Sequence, residues 1–193
     1  MIQAKKDYEK EPTKQLEKDI SKFNNIQMAR KIQLNSAYGA VGNQYFRYYN
    51  LLNAEAITLS GQVSIRWIEN KMNQKMNKIL KTEDVDYVIA SDTDSIYLNL
   101  GPLVEGVYKG RKETDEVIVG FIDKVCSMEL EPYIESSYEA LAKYVNAYDQ
   151  KMFMKRETIA NKGIWTAKKR YILNAWDIEG VRFAEPKLKV MGY

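Results

Sequence analysis

Ala54, Ile57, Gly61, Ile65, Ile68, Met72, Met76 and Ile79 follow one another at steps of three and four residues. That spacing predicts a single amphipathic helix of about seven turns, with Asn and Lys on the opposite side. Its methionines belong to packing. A stripe this long must be covered by other apolar structure. Immediately afterwards the period changes. Tyr87-Val88-Ile89-Ala90 and Ile96-Tyr97-Leu98-Asn99-Leu100 are β-branched and aromatic runs, with Ser91-Asp92-Thr93-Asp94-Ser95 between them. They predict a tight β-hairpin with acids at its tip. A long helix feeding a hairpin makes the chain α+β.

Further elements follow from the same periodicities. Residues 1–15 read as a loosely tied, lysine-rich terminus. Thr13 suits the cap of a helix from Lys14, carrying Leu16, Ile20, Phe23, Ile26, Ile32 and Leu34, with Gly39 and Gly42 as stop signals. Residues 101–113 are expected to be a glycine-containing loop, and 114–130 a helix with Val117, Phe121 and Val125 inward. Pro132 suits the first turn of the next helix, whose face is Ile134, Tyr138, Leu141, Val145 and Tyr148. Residues 151–160 and 164–176 read as strands joined by Asn161-Lys162-Gly163, with a short last segment at 187–191.

Composition narrows the chemistry. The 193 residues include no His and one Cys, Cys126. Disulfide frameworks, Cys/His zinc sites and His-based nucleophilic triads are therefore excluded. Carboxylates, Lys, Tyr and oxygen-ligated metals remain. No apolar run has the length of a membrane span, and the first residues lack a signal-peptide core. A reducing, cytoplasmic setting without membrane partners is the expectation. Charge is uneven: residues 1–81 hold 14 bases and 7 acids, 82–150 hold 5 and 15, and 151–193 hold 10 and 4. Two readings stay open, a chance spread over solvated faces or a polyanion-binding surface beside a cation-binding centre.

Three constellations could carry chemistry. Asp92 and Asp94 offer hard oxygen ligands on a rigid hairpin tip, although Asp-Thr-Asp-Ser is also ordinary turn chemistry. A calcium EF-hand is rejected, because it needs Gly at 97 and Glu at 103, where Tyr and Leu stand. Lys31, Asn35 and Tyr38, with Gln27 behind them, fall on one helix stripe that ends at Gly39. They suit a phosphate and a stacked base or sugar, or form a solvated face. Lys168-Lys169-Arg170-Tyr171 lies in an otherwise apolar stretch expected to be strand. It suits a nucleic-acid backbone, or protects a sheet edge by charge. Asp177-Ile178-Glu179 reads as a turn before Gly180.

Taken together the motifs resemble family B DNA polymerases. Lys31-Ile32-Gln33-Leu34-Asn35-Ser36-Ala37-Tyr38-Gly39 matches the fingers-helix pattern K-x-x-x-N-S-x-Y-G, Asp92-Thr93-Asp94-Ser95 matches the palm motif D-T-D-S, and Lys168-Lys169-Arg170-Tyr171 matches K-K-x-Y. Phe46-Arg47-Tyr48-Tyr49 and Arg182-Phe183-Ala184-Glu185-Pro186 resemble replicative polymerases of T-even-type bacteriophages. The resemblance implies an antiparallel palm sheet with helices packed on one face, plus a protruding N-terminal fingers helix. Residues 1–43 would be a fingers remnant and 44–193 a partial palm.

The resemblance also implies roles. Asp94 would ligate catalytic Mg2+ (two ions in a complete site), and Asp92 would support it. Thr93 and Ser95 would shape the turn at the nucleotide. Lys31 and Asn35 would meet the triphosphate of the incoming dNTP, and Tyr38 and Gly39 the nascent base pair. Lys168, Lys169, Arg170 and Tyr171 would hold primer-template DNA, with Glu157 a further candidate at the edge of the site. The reaction would be nucleotidyl transfer to a primer 3′-hydroxyl. The family's first palm carboxylate motif, D-x-x-S-L-Y-P-S, does not occur in this sequence, and neither do recognisable exonuclease and thumb segments. The isolated chain is therefore expected not to extend a primer, and a second polypeptide carrying the rest is a candidate partner. Ser91 stands where the family usually has Gly. A non-catalytic nucleic-acid-binding module is the alternative. A metal-dependent glycosyltransferase, which has no use for the Lys31 stripe, is a further rival.

Overall fold

The structure, a computed structural model, describes residues 3–4, 7–8, 11–111 and 113–192. The reading of the first residues as loosely tied falls largely outside them. The chain divides into two compact units, Met1–Ser60 and Gly61–Tyr193.

The first unit holds helix α1, Lys14–Val41, and the opening turns of α2, Leu51–Leu80. Thr13 caps α1 as expected, its hydroxyl accepting from the Leu16 amide at 3.2 Å. The helix runs through Gly39 and stops at Gly42, whose N–H bonds the carbonyls of Tyr38 and Ala40. None of its 28 residues is buried.

The second unit holds the core. The middle of α2 supplies Ile68, Met72 and Met76, all fully enclosed. Ile68 and Met72 pack against Val88, Cys126, Leu130, Ile134, Tyr138 and Leu141, while Met76 packs against Tyr87 and Leu103. The expected stripe is not buried along its whole length: Ala54 is buried as well, but Ile57 and Ile79 are exposed.

Strands β1, Val88–Asp92, and β2, Ser95–Leu98, form the expected hairpin. Side chains of α2 hold its root. Asn73 Oδ1 accepts from the amides of Tyr87 and Val88, both at 2.9 Å, and Asn77 Oδ1 from Thr82 Oγ1 at 2.7 Å. The Asn73 bonds satisfy the backbone donors of Tyr87 and Val88 where the ladder begins.

Residues 101–113, expected as a loop, contain helix α3, Gly101–Tyr108. Pro102 sits in its first turn, where its missing N–H costs nothing, and Leu103 is buried. Helix α4, Asp115–Val125, passes through a π-helical turn, Cys126–Leu130, into α5, Glu131–Tyr144. Ile134, Tyr138 and Leu141 are inward as expected, but Val145 and Tyr148 lie beyond α5 and are exposed. The Trp67 indole N–H donates to the Ser137 carbonyl at 2.9 Å and ties α2 to α5.

A second antiparallel ladder follows, in the order β3 (Thr158–Ala167), β4 (Arg170–Ile178) and β5 (Val181–Met191). Two expectations are corrected here. Asn161-Lys162-Gly163 is not a connection but part of β3, where register shifts absorb the irregular residues. Lys168 and Lys169 are not inside a strand; they form the two-residue turn between the paired Ala167 and Arg170, with Lys169 left-handed at φ 64°. The short last segment is longer than expected, since β5 begins at Val181. Glu179 and Gly180, at φ 52° and 79°, close the β4–β5 hairpin, whereas Asp177 and Ile178, expected in the turn, are the paired end of β4. The chain is thus α+β; among the described residues all strands are antiparallel and arranged in two ladders.

Candidate nucleic-acid and nucleotidyl-transfer site

At the β1–β2 tip, Asp92 ends one strand and Ser95 begins the next, leaving Thr93 and Asp94 as the turn. The Asp94 amide donates to the Asp92 carbonyl at 2.6 Å, and Ser95 Oγ donates to the same carbonyl at 3.1 Å. Thr93 Oγ1 donates to Asp92 Oδ1 at 3.0 Å. Thr93 is left-handed at φ 54°, an uncommon state for a β-branched residue. The outcome is a divided pair. Asp92 is half-buried and braced within the turn, while Asp94 projects into solvent.

The Lys168–Lys169 turn comes to this hairpin. Lys169 Nζ lies 3.7 Å from Asp92 Oδ1. Between the two hairpins is a cleft of about 280 Å³, lined by Asp92, Tyr97, Trp165, Lys168, Lys169 and Tyr171 among others. Its aromatic wall is self-packed. Tyr97 meets the rings of Trp165 and Tyr171 edge-on, each at 5.3 Å. Gly163 makes this possible, because a Cβ there would come within 2.8 Å of the Trp165 ring and Leu173 Cδ2. Burial, reinforced by a hydrogen bond that the Tyr97 hydroxyl donates to Tyr171, pushes the Tyr97 phenol well above the ordinary tyrosine range. Tyr97 therefore stays a neutral wall residue.

The second ladder is anchored by ionic contacts absent from the sequence-based expectations. Asp177 is almost fully buried, and its Oδ1 accepts from Arg156 Nη1 and from the Gly180 amide. Arg156 Nη2 also reaches Asp123 Oδ1 at 2.7 Å, and Arg182 lies 3.4 Å from Asp123 and 3.8 Å from Asp177. Burial by itself would lower the Arg156 pKa, but the bonds and charges of Asp177 and Asp123 outweigh it and the net shift is upward. These contacts tie α4 to the base of β4. Charged residues flanking a strand were the available signal, but the partners are too far apart in sequence to show a spacing. Glu157, expected at the site's edge, is ion-paired to Lys189 at 2.6 Å.

Asp92, Lys168, Lys169 and Tyr171 are thus brought together in the second unit, with Asp94 and Thr93 at the adjoining tip and Arg170 beginning β4. Lys31, Asn35, Tyr38 and Gly39 belong to the first unit, where α1 exposes all four. Apart from its own helix turn, none of the described residues comes within 4 Å of a Cβ at Gly39, so packing among them does not require glycine there. Hard oxygen donors at an exposed tip suit a divalent cation such as Mg2+. The fit is partial, because no group of three or more His, Cys, Asp or Glu among the described residues could hold a metal. Among them, too, no helix is long and apolar enough to cross a membrane.

An α+β chain presents an acidic hairpin tip beside a lysine turn, which places hard oxygen donors next to cations able to meet a polyanion. The chain belongs to DNA polymerase family B, whose family model matches residues 2–183. It is 45% identical over 174 residues to a DNA-directed DNA polymerase of Escherichia phage RB69, covering 86% of this chain and 19% of that protein. It is 44% identical over 184 residues to a DNA-directed DNA polymerase of Enterobacteria phage T4, covering 91% of this chain and 20% of the relative. A DNA polymerase 1 of Aeropyrum pernix is 24% identical over 106 residues, 55% of this chain and 9% of that protein. The chain therefore spans about a fifth of the length of the phage relatives.

Proposed function

We propose that this chain is the catalytic-centre segment of a DNA-directed DNA polymerase that transfers nucleotidyl groups from dNTPs to a primer 3′-hydroxyl, with pyrophosphate leaving. The observation that carries the reading is the Asp92–Asp94 hairpin tip lying against the Lys168–Lys169 turn within a family B sequence. Asp94 is the exposed carboxylate that would hold Mg2+, and Asp92 braces the tip. Bound Mg2+, two ions in the complete site, would supply charge neutralisation to the attacking 3′-oxygen and the departing pyrophosphate. Lys168, Lys169 and Arg170 bind the primer-template backbone, their cations displacing condensed counterions. Tyr171, with Tyr97 and Trp165, forms the wall behind them. Thr93 and Ser95 keep the turn that presents Asp94.

On α1, Lys31 and Asn35 bind the triphosphate and Tyr38 and Gly39 face the nascent base pair. Residues 1–43 then correspond to fingers and 44–193 to palm. Two carboxylates at one tip are too few for a two-ion centre, so synthesis requires a further carboxylate from outside this chain, within a longer polypeptide or on a partner. Alone, the chain binds DNA and does not extend primers.

The test is exchange. The chain is substituted for the matching segment of the phage T4 relative, and template-directed incorporation is measured. Incorporation by the chimera supports the reading. A folded chimera that binds primer-template but incorporates nothing contradicts it.

A further inference from the structure

The Lys168–Lys169 turn is walled by one glycine. Gly192 follows the paired Tyr171 and Met191, at the end of β5, with φ 78°. A Cβ at this position would come within 2.3 Å of the Lys169 carbonyl oxygen, 3.2 Å of its carbonyl carbon and 3.0 Å of Arg170 Cγ. The first two are backbone atoms of a tight turn and cannot swing aside as a side chain could. Lys169 is itself left-handed, a state a non-glycine residue keeps only where its surroundings enforce it. The two-residue hairpin demands that state, and the end of β5 packs directly against it, an approach that only glycine permits.

We propose that Gly192 is a positioning residue for the lysine turn: its missing side chain lets β5 seat Lys169 over the Asp92 hairpin. The inference rests on the reading of that turn as a DNA-binding element. It goes further in making the lysines' placement depend on a residue that touches neither DNA nor nucleotide.

Gly180 provides an internal control. It has the same left-handed backbone, φ 79°, but a Cβ there meets nothing within 4 Å. Substituting alanine at either position imposes backbone strain, and only at 192 does it also push the turn. Asparagine tolerates the left-handed region better than alanine, so Gly192→Asn keeps the push and relieves part of the strain.

The experiment measures anisotropy of a fluorescein-labelled primer-template duplex over a salt series, alongside thermal melting. The chains compared are wild type, Gly180→Ala, Gly192→Ala, Gly192→Asn and Lys169→Ala. Gly180→Ala should melt lower yet bind as wild type. Both Gly192 variants should bind weakly, with a log–log salt slope reduced by about one, as for Lys169→Ala. Gly192→Asn should melt above Gly192→Ala without regaining affinity. Gly192 variants that bind like Gly180→Ala, while Lys169→Ala is weakened, overturn the inference and leave the DNA-binding reading standing. Unchanged binding by Lys169→Ala overturns both. Loss of the fold in both Gly192 variants also overturns it, since the glycine would then serve the fold as a whole.

Discussion

Lys169 Nζ stands 3.7 Å from Asp92 Oδ1, joining the turn of the β3–β4 hairpin to the tip of the β1–β2 hairpin. The lysine side chain is 65% exposed, so the pair adds little to stability. Its importance is spatial, because it sets a cation beside the carboxylate tip.

Asp92→Asn should therefore change unfolding free energy by less than about 1 kcal/mol. The bonds from the Asp94 amide and Ser95 Oγ end on the Asp92 main-chain carbonyl and survive the substitution. Primer-template affinity should hold or rise, since an acid beside the lysine turn is removed. Urea unfolding and anisotropy check both statements.

Arg156→Ala should be far more costly. It leaves the Asp177 carboxylate buried, with Arg182 at 3.8 Å as its remaining ion-pair partner. Removing one member of a buried pair costs about 3–5 kcal/mol. Arg182→Ala, at a more exposed position, should cost under about 1 kcal/mol. Urea midpoints of the two variants give the comparison.

Burial raises the Cys126 thiol to about 11, against a partial downward pull from Arg156. The unfolded thiol loses its proton near 9 and the folded one only near 11. Between those values the unfolded state binds fewer protons, so stability falls as pH rises, by at most about 1.4 kcal/mol per unit. Below about 9 the group contributes no slope. Cys126→Ala should flatten that part of the profile, as read from denaturation midpoints between pH 8 and pH 11.

The α2 stripe should divide by burial. Met76→Ala, at a fully enclosed position, should cost about 2–5 kcal/mol. Ile57→Ala, at a position 54% exposed, should stay within about 0.5 kcal/mol. Paired urea titrations measure the difference.

The helix around Ile68 and the tip around Asp94 were legible because each carries a local signal, a period in one case and turn residues in the other. The burial of Met72 but not Ile57 was not, because period marks a face and says nothing about what covers it. Glycine misled twice. Gly101, Gly106 and Gly110 suggested a loop where α3 forms, and Gly163 suggested a break where it makes room for Trp165. The Lys168–Lys169 turn carries no Gly, Asn or Pro, so nothing local marked it. The Arg156–Asp177 pair is a long-range contact with no sequence period.

If Asp94 belongs to a nucleotidyl-transfer centre, template-directed incorporation by the phage T4 chimera depends on its carboxylate. Asp94→Ala in that chimera should cut incorporation by about a thousandfold, the loss of roughly 4 kcal/mol of transition-state stabilisation. Primer-template affinity should stay within about twofold, because the backbone contacts lie elsewhere. Incorporation by Asp94→Ala at the rate of the unsubstituted chimera would contradict the account.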